Sequence, residues 1–271
     1  MTPHVRWVAN LSMLFTELPL LDRPAAARAE GFDEIEMWWP FDGRATPSPA
    51  EVDRLVESVL SSGTTLTAMN LYAGTMSRGD RGVLSHPAHV EEFHASLDTA
   101  LAIARRLGTR LFNAPYGLRL AGLPESQQRQ TALQNLAHAA ARLREVGGTV
   151  LVEPLSSPPD YPLRSATDAT ELIDAVRTLT GHPDVGLLLD QFHLDSNGHD
   201  PVPDTPTLGY VRHVQVAEPP HRGEPGSGAG RVPSFVADLV ASGYRGAVAL
   251  EYQPTTTTVE SLRTWRRHLM R

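Results

Sequence analysis

A chain of 271 residues with 41% apolar content can bury a sizeable core, and it carries a net charge of −7 at neutral pH. That acidic balance argues against nucleic acid as a partner, because binding a phosphate backbone needs a basic face. Without cysteine there is no disulfide and no thiolate metal site, so any metal must take oxygen or imidazole ligands.

In chain order, residues 5–10 (VRWVAN) predict a first strand. Residues 22–30 predict a short helix, with Pro24 near its start and Gly31 as its stop. Residues 33–39 give a second strand, 49–62 a helix ended by Gly63, and 64–70 a third strand with threonine-rich β propensity. The connection over 71–86 is longer than a plain link requires, which suggests a functional lid or rim. Residues 87–107 predict a long helix with Val90, Phe93, Leu97, Leu101 and Ala104 on one face and Gly108 as its stop. A fourth strand follows at 110–113, a helix at 124–146, a fifth strand at 149–153, a helix at 166–180 and a sixth strand at 185–190. Pro201, Pro203 and Pro206 forbid a regular helix over 197–210. The remaining elements are a strand at 212–217, a helix at 232–242, a strand at 247–251 and a closing helix at 259–268.

Strands alternating with helices imply parallel strands joined by crossover helices. Eight such units in one chain of this length predict a single-domain (β/α)8 TIM barrel over 1–271, with the helix after strand six degenerate. A doubly wound sheet would bring a glycine-rich turn after the first strand, where this chain has Leu11-Ser12-Met13. The N-terminus (Met1-Thr2-Pro3-His4-Val5-Arg6) lacks a basic stretch leading into an apolar one. No apolar run approaches the roughly 18 residues of a membrane helix. The expectation is a cytoplasmic protein with no membrane partner.

Four strands share one pattern, an apolar run closing on an oxygen ligand: Glu153, Asp190, Gln215 and Glu251. In a (β/α)8 barrel catalytic residues sit at the C-terminal strand ends. Taken singly, a carboxylate there is more often a helix cap or an ion-pair partner. Together, three carboxylates at one mouth repel each other unless a cation neutralises them. Oxygen donors without sulfur favour one divalent ion, Mg2+ or Mn2+. A cation flanked by two glutamates suits aldose–ketose isomerisation or epimerisation through an enediol, with Glu153 and Glu251 moving the proton. The substrate is then a small hydroxy-carbonyl molecule.

His193 and Arg222 are candidates for substrate contact, as are Glu36 and Asn70 at the ends of strands two and three. Trp38 and Trp39 read as core residues able to wall a pocket. His86, His89 and His94 read as surface residues.

Several segments then resemble the hydroxypyruvate isomerase family, within the xylose-isomerase-like barrels. They are ANLSMLFTE (9–17), NLYAG (70–74), GDRG (79–82) with His86-Pro87, LVEP (151–154), HVQVA (213–217), RGEPGSG (222–228), and GYRG (243–246) with Glu251-Tyr252. The resemblance runs from Ala9 to about Pro254. It implies a TIM barrel and a divalent metal held by Glu153, Asp190, Gln215 and Glu251, with the two glutamates as paired acid and base. It implies conversion of hydroxypyruvate to tartronate semialdehyde and assembly into dimers or tetramers. Related ketose epimerases place a His three residues after the Asp ligand and an Arg seven after the third ligand, which His193 and Arg222 match. A ketose 3-epimerase or a 2-oxo-tetronate isomerase on the same scaffold is the alternative. A non-catalytic binding barrel would have lost one of the two glutamates, and an endonuclease-like barrel would need clustered histidines and a basic groove. Two departures fall at the mouth. Ala229 stands where the family carries Glu, and Leu194-Asp195, leading into the prolines, stands where it reads Met-Gln.

Overall fold

The structure, a computed structural model, describes residues 5–228 and 230–269. Ala229 therefore lies outside the described residues.

Eight parallel strands close into a barrel in sequence order. They are β1 (Trp7–Asn10), β2 (Glu34–Met37), β3 (Thr65–Asn70), β4 (Leu111–Asn113), β5 (Thr149–Val152), β6 (Val185–Asp190), β7 (Val211–Val216) and β8 (Val248–Leu250). The main outer helices are α1 (Arg23–Ala29), α2 (Pro49–Ser62), α3 (Val90–Leu107), α4 (Glu125–Leu143) and α5 (Ala166–Thr180). The apolar spacing read from sequence is the buried face: Phe93, Leu97, Leu101 and Ala104 in α3 are all buried, as are Leu136, Ala140 and Leu143 in α4. Each fully buried leucine of this kind contributes about 1.5–3 kcal/mol.

Local chemistry sets the helix limits. Ser48 and Glu51 form a capping box at α2, and Ser165 and Asp168 form another at α5. Gly108 ends α3 in the left-handed region at φ 76°, a conformation that costs glycine little. Two helices are shorter than their sequence pattern. Pro87–His89 is a separate 3-10 turn ahead of α3, and Arg144–Val146 is another after α4.

The degenerate segment after β6 consists of two short helices, α6 (Gln191–Ser196) and α7 (Thr205–Leu208). The prolines do not exclude the second, because Pro206 sits in its first turn, where no backbone donor is required. The chain closes with α8 (Arg231–Ala241) and α9 (Thr258–Leu269). No described helix is long and apolar enough to cross a membrane.

Two of the histidines read as surface residues are not free. His86 Nε2 lies 3.0 Å from the carbonyl of Leu118. His94 stacks on His138 with ring centroids 4.0 Å apart and bonds the amide oxygen of Asn135. Both pack between α3 and the β4–α4 region, a contact that helical spacing alone does not reveal.

Candidate active site

β1, β3, β4 and β6 end on Asn10, Asn70, Asn113 and Asp190, and Glu153 and Glu251 directly follow β5 and β8. Glu36 and Gln215 are the next-to-last residues of β2 and β7. All eight are at most 9% exposed, so the C-terminal end of the barrel is a buried polar floor. Parallel pairing puts Asn10 beside Glu36, Asn70 beside Asn113, and Asp190 beside Gln215.

Burying polar groups is costly unless each finds a partner, and most do. Asn113 Nδ2 donates to Glu153 Oε2 at 2.6 Å and to Asn70 Oδ1 at 3.2 Å. Asn10 Nδ2 donates to Glu251 Oε2 at 2.7 Å and Glu36 Oε1 at 2.8 Å. Gln215 Nε2 donates to Glu36 Oε1 at 2.7 Å, and His213 Nε2 bonds Glu36 Oε2. Arg222 pairs with Glu251 Oε1 and reaches within 3.5 Å of Asp190 Oδ2.

Asp190 is both the end of a strand and the start of a helix. Its Oδ1 accepts from the backbone N–H groups of Phe192 (2.8 Å) and His193 (3.4 Å), capping α6. That cap aligns the first turn of α6 and sets His193 Nε2 3.6 Å from Asp190 Oδ2. On its other side His193 Nδ1 accepts the hydroxyl and backbone N–H of Ser156. Burial pushes the His193 imidazole down to about 4, so it is neutral near pH 7.

Three buried acceptors of this floor have no hydrogen-bond partner: Asn113 Oδ1, Asp190 Oδ2 and Gln215 Oε1. Leaving such atoms unpaired costs about 1–3 kcal/mol each. Burial, with the Asp190 charge next, raises the Glu153 carboxyl well above the ordinary range, and burial does the same to Glu251. Arg222 is the one cation paired with this floor among the described residues. Donorless oxygens beside three buried carboxylates, with no sulfur present, fit a hard divalent cation. Ligand atoms of Glu153, Asp190 and His193 lie within 4.8 Å of one another. Gln215 Oε1 is a further oxygen donor, and Glu251 joins the group through the Arg222 contact it shares with Asp190.

A cavity of about 620 Å³ opens above, lined in part by Trp38, Trp39, Asn70, Glu153, His193, Arg222 and Glu251. The structure thus brings together Glu153, Asp190, Gln215, Glu251, His193, Arg222 and Asn70. Glu36, expected at the substrate, is part of the buried floor. Both of its oxygens are taken by protein donors, and it is not part of the cavity wall. Trp39 serves both core and wall: it is 6% exposed, packs edge-on against Phe41 and Tyr72, and still borders the cavity. Sequence reasoning passed over Asn10, Asn113 and His213. The first two end apolar strands in the same way as the carboxylates, a signal that could have found them. His213 points inward from β7 two residues before Gln215, and period-two alternation places it on the same face.

A barrel with its polar floor at the C-terminal strand ends is the architecture of a TIM-barrel enzyme. Residues 24–268 match the family described as xylose isomerase-like TIM barrel. The chain is 43% identical to a putative hydroxypyruvate isomerase of Streptomyces coelicolor, over 92% of this chain and 91% of that one. It is 32% identical to the hydroxypyruvate isomerase of Escherichia coli, over 96% and 97% of the two chains. A solved structure described as an AP endonuclease, family 2, from Brucella melitensis superposes with a TM-score of 0.82. That protein is 30% identical, with 97% and 98% of the two chains covered. The chain therefore belongs to the hydroxypyruvate isomerase family of xylose-isomerase-like TIM barrels, and it is an isomerase.

Proposed function

We propose that this isomerase interconverts hydroxypyruvate and tartronate semialdehyde through an enediolate, with a divalent cation held by Glu153, Asp190, Gln215 and Glu251. The observation that carries the reading is that Asp190 Oδ2 and Gln215 Oε1, on residues paired across β6 and β7, are buried without hydrogen-bond partners among buried Glu153 and Glu251. When bound, Mg2+ or Mn2+ at these oxygens supplies Lewis-acid polarisation of a carbonyl and its neighbouring hydroxyl.

The chain's own residues handle the proton. Glu153 has one oxygen fixed by Asn113, while its Oε1 has no protein donor. That free oxygen suits it to accept a proton from the carbon beside the carbonyl. In hydroxypyruvate that proton leaves C3, the C2–C3 enediolate forms, the hydroxyl proton passes from O3 to O2, and a proton returned to C2 gives the 2-hydroxy-3-oxo acid. Glu251 is the second carboxyl, and Asn10 and Arg222 hold its two oxygens. His193, kept neutral by burial, can donate from Nε2 to a substrate oxygen, because Nδ1 is occupied as an acceptor. Trp38 and Trp39 wall the cavity and limit water around the reacting carbons.

The cavity is roomier than a three-carbon acid requires, which favours a four-carbon 2-oxo acid as the second reading. Proton NMR of the Mn2+- or Mg2+-loaded enzyme in D2O tests both. Loss of the hydroxypyruvate C3 proton with formation of the aldehyde is the expected result. Turnover of a 2-oxo-tetronate alone would shift the assignment to the second reading, and turnover of neutral ketoses alone would refute both.

A further inference from the structure

The GDRG segment and the long rim loop around it have no part in the proton chemistry above, yet the loop is built with unusual restraint. Gly82 N donates to the Ala73 carbonyl at 3.1 Å, Gly117 N donates to the Arg81 carbonyl at 3.1 Å, and Ser85 N donates to the Tyr116 carbonyl at 2.9 Å. Asp80 Oδ2 accepts from Thr75 N at 2.7 Å, closing the turn from within. Gly82 has φ +114°, and a Cβ there would lie 2.0 Å from the Pro115 carbonyl oxygen, so only glycine lets the loop press against the β4 segment. These restraints fix the backbone on both sides of Arg81, and Arg81 lines the cavity.

Three arginines line that cavity: Arg23, Arg81 and Arg222. Arg222 is already paired with Glu251 and Asp190. Arg23 spends Nε on the Leu18 carbonyl and Nη1 on that of Leu11. Arg81 donates only from Nη1, to the Asp80 carbonyl at 2.7 Å and the Met76 carbonyl at 3.4 Å. Its Nε and Nη2, the two parallel donors of the guanidinium edge, have no partner among the described residues. No described carboxylate lies within 4.0 Å of it, so it has no ion-pair partner among the described residues. A planar two-donor edge of this kind matches a carboxylate in bidentate fashion.

Glu153 and Glu251 line the cavity, and Asp190 lies beside Glu153 in the polar floor. An anionic substrate must enter with its reacting carbons toward that floor and its charge turned away. We infer that Arg81 receives the carboxylate of the substrate through Nε and Nη2, and so selects acids over neutral sugars of the same reactive group. This inference rests on the hydroxy-keto acid reading above.

The test pairs hydroxypyruvate with dihydroxyacetone, a neutral analogue in which a hydroxymethyl group replaces the carboxylate, on the metal-loaded enzyme. Replacing the charged fork in Arg81→Gln should lower kcat/KM for hydroxypyruvate about 10- to 100-fold, chiefly through KM. The preference for the acid over the neutral analogue should shrink by the same factor. Arg78→Gln, an exposed arginine of the same loop outside the cavity, serves as the control for loop charge. Equal losses on both substrates in Arg81→Gln, an unchanged KM for the acid, or an equal effect of Arg78→Gln would overturn the assignment. If the wild-type enzyme turns over neither compound, the proposed reaction has failed, and calorimetric binding of hydroxypyruvate then judges Arg81 alone. Weaker binding by Arg81→Gln upholds the site, and unaltered binding removes it.

Discussion

Replacing Glu36 by glutamine changes one atom and should disturb the metal site without touching a ligand. Glu36 is a buried acceptor for Asn10 at 2.8 Å, Gln215 at 2.7 Å, and His213. A glutamine keeps one acceptor and turns the other oxygen into a donor, which faces the amide donors of Asn10 and Gln215 at the Oε1 position or obliges His213 to change tautomer at the Oε2 position. That conflict costs about 1–3 kcal/mol, and the surviving bonds weaken from charged to neutral by about another 1–2 kcal/mol in sum. The expected loss of stability is therefore about 2–5 kcal/mol. A flip of the Gln215 amide relieves the conflict, but it replaces Oε1 with an N–H group on the side where a cation needs an oxygen. Disturbing the partner that orients a ligand typically weakens metal binding about 10- to 100-fold. Urea unfolding of the metal-free protein and calorimetric titration with Mn2+ measure the two effects. Wild-type Mn2+ affinity and a wild-type unfolding midpoint in Glu36→Gln would refute both the orienting role and the ligand assignment of Gln215.

Three further outcomes follow from the same floor. Glu153→Gln and Glu251→Gln should each lower exchange of the substrate α-proton with solvent by at least about 100-fold while leaving the far-ultraviolet circular dichroism unchanged, since a positioned base contributes about that much; wild-type exchange in either would sink the two-carboxyl mechanism. Chelation with EDTA should remove turnover and added Mg2+ or Mn2+ restore it, and unchanged turnover after elemental analysis shows the metal gone would exclude the cation. Stability of the metal-free protein should respond to pH in two directions. His193, lowered from 6.5 to about 4, makes the unfolded chain bind more protons between those values, so stability rises with pH there. Glu153, raised from 4.5 to about 8, makes the native chain bind more, and Glu251 is raised in the same direction, so above 6.5 the two carboxyls act without the opposing His193 and the melting temperature should fall as pH approaches 8. Scanning calorimetry across that upper interval checks the sign, and a flat or rising melting temperature contradicts the buried carboxylate account.

The barrel was legible because its signals are periodic and local. The buried faces of α3 and α4 follow the apolar spacing, and each carboxylate of the floor stands at the end of an apolar run, where the fold puts chemistry. Glu36 obeys the same pattern and was read as a substrate contact, but its partners come from β1 and β7. Only closure of the barrel brings Asn10, His213 and Gln215 around it, and no local pattern encodes that meeting. The fork of Arg81 was hidden for a related reason. GDRG marks a turn, while part of what fixes it comes from the distant segment after β4. The short α6 escaped because its cap, Asp190, had already been read as a ligand, and one side chain fills both posts.

The pairing of Arg222 with Asp190 and Glu251 bears on the order of events in the life of the chain. Many small metal proteins stay unfolded until their ion arrives, because the ligands repel each other without it. Here a positive charge already sits among the carboxylates, supplied by a residue held at φ 57°, an uncommon conformation for a side chain of this size. If the floor holds a divalent ion as proposed, the barrel would not need that ion to balance its carboxylates while it folds. Newly made protein would form a folded reserve ready for loading, and a shortage of metal would silence the enzyme without condemning it to degradation.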